Sequence, residues 1–328
     1  MERRDFFRKG SAGFAGLTMG SLLMQSGTAG AARADAADEQ ASREAAGRQL
    51  ITAGDRDPHQ VLDAASPHSV ILFDRNRPWS LEQTLVIDKP LTVLGLHARM
   101  PEGLAATPLV SIQAEGVRFA DFELHGNTES ITSDWGANRA SCLTIQAGNF
   151  VIERGWVTQA SRHGILVGSG TDQDLGDYVA AGGKTIRNGV IRDIVAHDIR
   201  RDAVSIEGRP VGSISHLLVE NIHGLRCRHV VRTGNRDLGH TNLTIRNVLA
   251  EQCQLPLRIS NTRGVWIEGV QVKMHPGGPI ATVSNCHGVR MNQLVLFSGT
   301  RDDDDAIQWR ACTHTRADEL LDVRPDEA

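Results

Sequence analysis

Apolar residues recur along this chain in short bursts, each interrupted by one small polar residue. The unit is apolar, any residue, Asn/Asp/Gly, apolar. It reads FADF at 119–122, IRDI at 191–194, VENI at 219–222, IRNV at 245–248 and IEGV at 267–270. IERGW (152–156) and MNQL (291–294) are looser copies. The third positions of the later copies, Asp193, Asn221, Asn247 and Gly269, lie 28, 26 and 22 residues apart. A second β-rich segment falls in phase between them: GILVG, AVSIEG, HVVRTGN, PLRISN and PIATVSN. The bursts are β-branched and too short for helices, so each unit predicts short strand, turn, short strand, Asn-type bend, short strand.

A repeat of this period predicts a solenoid, because one unit cannot bury its own apolar face and must stack on its neighbours. Asn suits the bend because it tolerates left-handed backbone angles, and its amide can bond the copy one coil away. An α-solenoid would need longer helix-period runs, and an antiparallel sandwich would not explain the shared register of the bend. SLEQTLVIDKPLTVLGL, followed by VRFADFELHGN, resembles the entry coils of the right-handed parallel β-helix, or pectin-lyase-like, superfamily. The resemblance spans about residues 60 to 300 and implies an all-β solenoid of three-strand coils. DEQASREAAGRQL (38–50) carries an amphipathic pattern that would supply a short N-terminal capping helix. The expected organisation is a leader at 1–34, a linker or cap at 35–58, the β-helix at 59–300 and a C-terminal cap or tail at 301–328, since an open last coil needs cover.

The N-terminus changes the picture. RRDFFRKG sets Arg3 and Arg4 ahead of Phe6 and Phe7; an apolar run, SAGFAGLTMGSLLM, and then AARADA follow. That is the order of a twin-arginine signal peptide with a cut after Ala34, which makes the twin-arginine export machinery a partner and the location periplasmic or secreted. The apolar run is too short and too rich in Gly and Ala to span a bilayer, so no membrane span is expected in the mature form. The formal net charge of -4 argues against a general nucleic-acid binder. Five cysteines without C-x-x-C spacing make no zinc site. Cys227 and Cys253 precede the same strand on successive coils, either within reach of a disulfide or as stacked thiols.

Aligning the coils gathers charge. With Ile165, Val204, Val231 and Leu257 in the core, alternation sends Leu166, Ser205, Arg232 and Arg258 outward. One step back, SRHG, RRDA and CRHV stack Arg162 and His163 on Arg201 and Asp202, and these on Arg228 and His229. Rungs about 4.8 Å apart collapse these residues into one basic patch with two acids, Asp202 and Glu207. Like charges on successive rungs repel and call for an anionic partner. Arginine forks match carboxylates and sulfates, so the predicted ligand is an acidic, uronic-acid-containing polysaccharide.

The fragment VVRTGN resembles the arginine-bearing strand of the chondroitinase B and alginate lyase family. That resemblance implies β-elimination, with a Lys on the preceding rung as base and the Arg assisting. Arg232 matches the Arg; the preceding rung, SIEG, carries Glu207 in place of the Lys. His163 or His229 would then be the base, since imidazole titrates near neutral pH. Arg201, Arg228, Arg232 and Arg258 would neutralise the uronate, with Arg162 and Glu207 as further substrate contacts and Asp202 as a further catalytic candidate. A polygalacturonase-like glycoside hydrolase needs clustered carboxylates, and Asp202 stands alone at its strand entry. A non-catalytic glycan-binding or envelope scaffold β-helix needs neither. The order of readings is polysaccharide lyase, then binding scaffold, then hydrolase, with catalysis itself left open. Two insertions would wall the groove: one carries Tyr178 as a candidate acid, the other Trp135 to stack on a sugar and Arg139 to bind its charge. No motif requires a cofactor; Asp172, Asp174 and Asp177, and the run Asp302 to Asp305, are Ca2+ candidates without a complete Ca-loop pattern.

Replacing Arg3 and Arg4 with Lys should retain the protein in the cytoplasm, as read by cell fractionation. Normal export of the double variant would remove the leader assignment.

Overall fold

A computed structural model describes residues 49–101, 108–127, 141–168, 185–207, 214–234, 240–273, 278–297 and 306–322, all within one compact unit that begins at Gln49. Arg3, Arg4, nearly all of the helix expected at 38–50, Trp135, Arg139, Tyr178 and the aspartates at 172–177 and 302–305 lie outside the described residues. The fold is a parallel β-helix with almost no helix. The short helix at its start is Pro58–Ala64, with Asp57 as N-cap accepting from the His59 N–H at 2.7 Å and Pro58 in the first turn.

Every described strand pairing is parallel. In the nine-stranded sheet the spatial order is the sequence order, so each strand touches only the coils before and after it. The inward column runs Leu85, Val110, Leu143, Ile165, Val204, Val231, Leu257, Ala281, Ile307. The outward column beside it includes Leu166, Ser205, Arg232 and Arg258, in the register that the sequence implied. The fourteen-stranded sheet wraps the other side of the coil.

The bend residues behave as their chemistry requires. Asp193, Asn221, Asn247 and Gly269 all have φ between 54° and 65°, the left-handed region. Their amides form a ladder: Asn221 Nδ2 donates to Asp193 Oδ1 at 2.8 Å, and Asn247 Nδ2 to Asn221 Oδ1 at 3.0 Å. Two further left-handed columns escaped the sequence reading. One runs Asn149, Asn188, His216, Asn242, Gly264, and the other Gln159, Asp198, Arg226, Gln252. Mixed composition hid the second, whereas Asn fills three of the five positions of the first.

Charges on the fourteen-stranded sheet alternate in sign up the stack. Glu153, Arg192, Glu220, Arg246 and Glu268 occupy successive rungs. Glu153 is fully buried and accepts from Arg118 at 2.9 Å and Arg192 at 2.8 Å, with Arg154 at 2.7 Å. Burial would raise its pKa, but the three guanidiniums outweigh this and hold it at about 2. Cys227 and Cys253 stack on successive coils as expected, and both are buried free thiols that donate to backbone carbonyls.

The core leaves no slack near Phe122, whose ring lies 4.5 Å from that of Phe119. A Cβ built on Gly155, one coil on, would collide with the Phe122 ring. Gly155→Ala should therefore cost about 1–3 kcal/mol, the usual range for overpacking, as read from the denaturant midpoint. An unchanged midpoint would mean that this ring has room to move.

Candidate functional site

The site is built on three successive strands of the nine-stranded sheet: His163–Gly168, Asp202–Glu207 and His229–Gly234. His163, Asp202 and His229 are in direct register at the strand entries. Arg232 pairs with Ser205 in the outward column. Residues distant in sequence thus converge on one carboxylate.

Asp202 is fully buried and its two oxygens are saturated. His229 Nδ1 lies 2.6 Å from Oδ1. Ser205 Oγ lies 3.1 Å from Oδ2, and Arg232 Nη1 donates to the same oxygen at 3.3 Å. His163 Nδ1 approaches Oδ2 at 2.8 Å, bent away from good hydrogen-bond geometry. Burial would push the Asp202 pKa up; the imidazoles and the Arg232 guanidinium reverse that and hold it well below the usual carboxylate range.

Glu207 continues the network. Its Oε1 lies 3.0 Å from Ser205 Oγ, whose single proton serves either this oxygen or Asp202 Oδ2, and pairs with Arg232 Nη1, while Arg162 Nη2 stands 3.8 Å from Oε2. Its pKa is also lowered, since the adjacent positive groups, Arg232 among them, outweigh its burial. His163, Asp202 and Glu207 are spaced as metal ligands would be. The Arg232 guanidinium, however, already bridges the facing oxygens of Asp202 and Glu207, so the protein supplies its own cation there.

Both histidines are buried. Burial lowers the pKa of both, which favours neutral rings at pH 7. His163 is fully buried, and its Nε2 has no hydrogen-bond partner among the described residues; Glu207 Oε1 is 4.0 Å away. His229 is 2% exposed and its Nδ1 is held by Asp202. The arrangement fixes a neutral His229 with its proton on Nδ1 and its lone pair on Nε2.

Around this buried knot the arginines divide into two groups. Arg232, expected in open groove, has only 13% of its side chain exposed and is tied to both acids. Arg228 and Arg258 are exposed and have no ion pair among the described residues. Arg201 reaches no closer than 4.0 Å to Asp202. Partial burial, and then neighbouring guanidiniums, lower the pKa of Arg201 and Arg258. Positive charge is therefore concentrated beside His229 without full neutralisation. Ser205, which ties Asp202 to Glu207, was not singled out in the sequence; its only signal was a small polar residue in the outward column.

No family model matches the chain, and no curated protein matches it. Solved structures do. The enzymatically active domain of tailspike protein 2 from bacteriophage CBA120 superposes with a TM-score of 0.52 at 10% identity, over 84% of this chain and 43% of that one. A GH136 lacto-N-biosidase from Eubacterium ramulus gives 0.51 at 11% identity, over 87% and 69% of the two chains. ORF18 of Geobacillus virus E2 gives 0.50 at 7% identity, over 90% and 64%. The chain spans less than half the length of the tailspike chain it matches. Identities this low carry the fold alone, and the protein belongs to the parallel β-helix class of structures. No helix among the described residues is long and apolar enough to cross a membrane.

Alternation sends Arg232 outward, yet its side chain is only 13% exposed and is tied to two acids. Arg232→Ala leaves the buried Asp202 and the partly buried Glu207 short of a partner and should destabilise the fold by about 3–5 kcal/mol. Thermal or denaturant unfolding of the variant against wild type checks this, and a difference within error would mean that water replaces the guanidinium.

Proposed function

We propose that the protein acts on an acidic, uronic-acid-containing polysaccharide by β-elimination, with His229 as the base. The observation that carries this reading is the cluster Arg201, Arg228 and Arg258, whose charge is not fully neutralised, beside a neutral imidazole held by a buried carboxylate. The arginines bind the uronate carboxylate, which makes the proton on the adjacent carbon more acidic. His229 Nε2 takes that proton. The C–H electrons form the new carbon–carbon double bond, and the bond to the glycosidic oxygen breaks. Asp202, at 2.6 Å from Nδ1, holds the required tautomer and stabilises the imidazolium. Tyr178 remains a candidate donor of the proton to the leaving oxygen. His163, sealed from solvent, and Glu207, bound to Arg232 and Ser205, act as positioning groups.

Hydrolysis needs one carboxyl group that keeps its proton and a second that is ionised. Asp202 and Glu207 share Arg232 and Ser205, and both pKa values are lowered, so neither is suited to be the acid. Two of the solved structures with this fold are named for enzymes, a tailspike's enzymatically active domain and a lacto-N-biosidase. They make the fold a suitable frame for glycan chemistry, without naming the bond cut.

Incubation with a panel of uronides, followed by absorbance of the unsaturated product, tests the reading. His229→Ala should keep binding and abolish product. Arg228→Ala and Arg258→Ala should each weaken binding by roughly 1.5–3 kcal/mol, the range for a hydrogen bond to a charged group. Because burial lowers the His229 pKa, activity should hold as pH falls through the usual imidazole range and drop only below it. Uronide binding without product would make the protein a binding module; no uronide binding at all would overturn the proposal.

A further inference from the structure

We propose that His97, Glu123 and His125 form a binding site for one divalent transition-metal ion, with Zn2+ the ion whose chemistry fits best. The three residues lie on the fourteen-stranded sheet, on adjacent strands His97–Arg99 and Glu123–His125. The arginine groove belongs to the other sheet. His97 is in register with Glu123, and His125 follows two positions along the same strand. Ala98 and Leu124 are fully buried, so alternation projects all three side chains from the same outer face. Each offers a ligand atom, and these atoms lie within 4.8 Å of one another.

The surroundings of the two rings are an independent indication. His97 Nδ1 lies 3.3 Å from the Arg75 carbonyl oxygen, which can only accept, so Nδ1 carries the proton and Nε2 the lone pair. His125 Nδ1 lies 2.7 Å from Thr158 Oγ1, on the next rung. A hydroxyl can donate or accept, so the same contact suits either tautomer of His125. Holding the outer ring nitrogen with an oxygen partner is how metal-ligating histidines are oriented. His125 Nε2 now meets Glu123 Oε1 at 2.9 Å. A metal ion would replace the shared proton between them, with Nδ1 of His125 then donating to Thr158. Two imidazoles and one carboxylate leave a position for water, the ligand set of an open zinc site. Hard cations such as Ca2+ and Mg2+ prefer all-oxygen sites and are excluded by the same donors. The ion would join consecutive coils and, by binding only the folded chain, raise its stability.

Untagged protein stripped with a chelator and titrated calorimetrically with ZnSO4 provides the test. One Zn2+ should bind per chain and raise the Tm, while CaCl2 and MgCl2 should do neither. His97→Ala and His125→Ala should each lower affinity at least ~10-fold, and Thr158→Val about 10-fold through loss of ring orientation. Arg258→Ala should bind as wild type does. Should the alanine variants fail to fold, Glu123→Gln keeps the shape, and Co2+ loading of wild type gives visible d–d bands that this variant should lose or shift. Absence of Zn2+ binding, or binding unchanged in all these variants, would overturn the site.

Discussion

Parallel strands about 4.8 Å apart, in register from coil to coil, impose one rule on this molecule: a side chain must be compatible with its own counterpart above and below. Apolar columns meet that rule by packing, and asparagine columns meet it by amide-to-amide hydrogen bonds such as Asn247 to Asn221. Charged columns can meet it only by alternation or by recruiting a partner. Glu153, Arg192, Glu220, Arg246 and Glu268 alternate, and their charges are settled within the sheet. The entry column Arg201 and Arg228, and the outward pair Arg232 and Arg258, stack like on like. The contrast between the two sheets distinguishes charges paired by alternation from like charges stacked on successive rungs.

Asp202 turns that second face into a site. A buried carboxylate is costly unless hydrogen-bonded and paired, and here His229, Ser205 and Arg232 bond to it with His163 in contact. The same contacts bias His229 toward one tautomer and remove Arg232 from the groove. One arginine is thereby spent on structure, and Arg201, Arg228 and Arg258 are left to face solvent. Stability and chemistry are coupled at this point, because the group that orients the imidazole is also the group whose burial must be compensated.

The fold was legible in the chain because its signal is local and repeated. The Asn/Asp/Gly bend at 193, 221, 247 and 269 recurs in phase, and its register with the strands around 165, 204, 231 and 257 followed by counting. The left-handed column through Arg226 was not legible, since no common residue type marks it; the one through His216 was missed although Asn fills three of its five positions. The site was legible as a set: His163, Asp202, His229, Arg232 and Glu207 do meet. Their individual roles were not, because alternation tells which face a side chain leaves from but not how far it folds back.

What the sequence by itself determined is therefore the stack: the period, the inward and outward columns, and which charges share a rung. Only the tertiary structure decided that Arg232 turns back onto Asp202 and Glu207, that His163 and His229 are both buried against Asp202, and that Ser205 lies between the two acids. It also brought His97, Glu123 and His125 together on the opposite sheet. The physical reason is that register depends on covalent spacing along the strand, which a sequence records directly. Burial and hydrogen-bond choice depend on competition among all neighbouring groups for the same oxygen atoms, and that competition exists only once the coils are stacked.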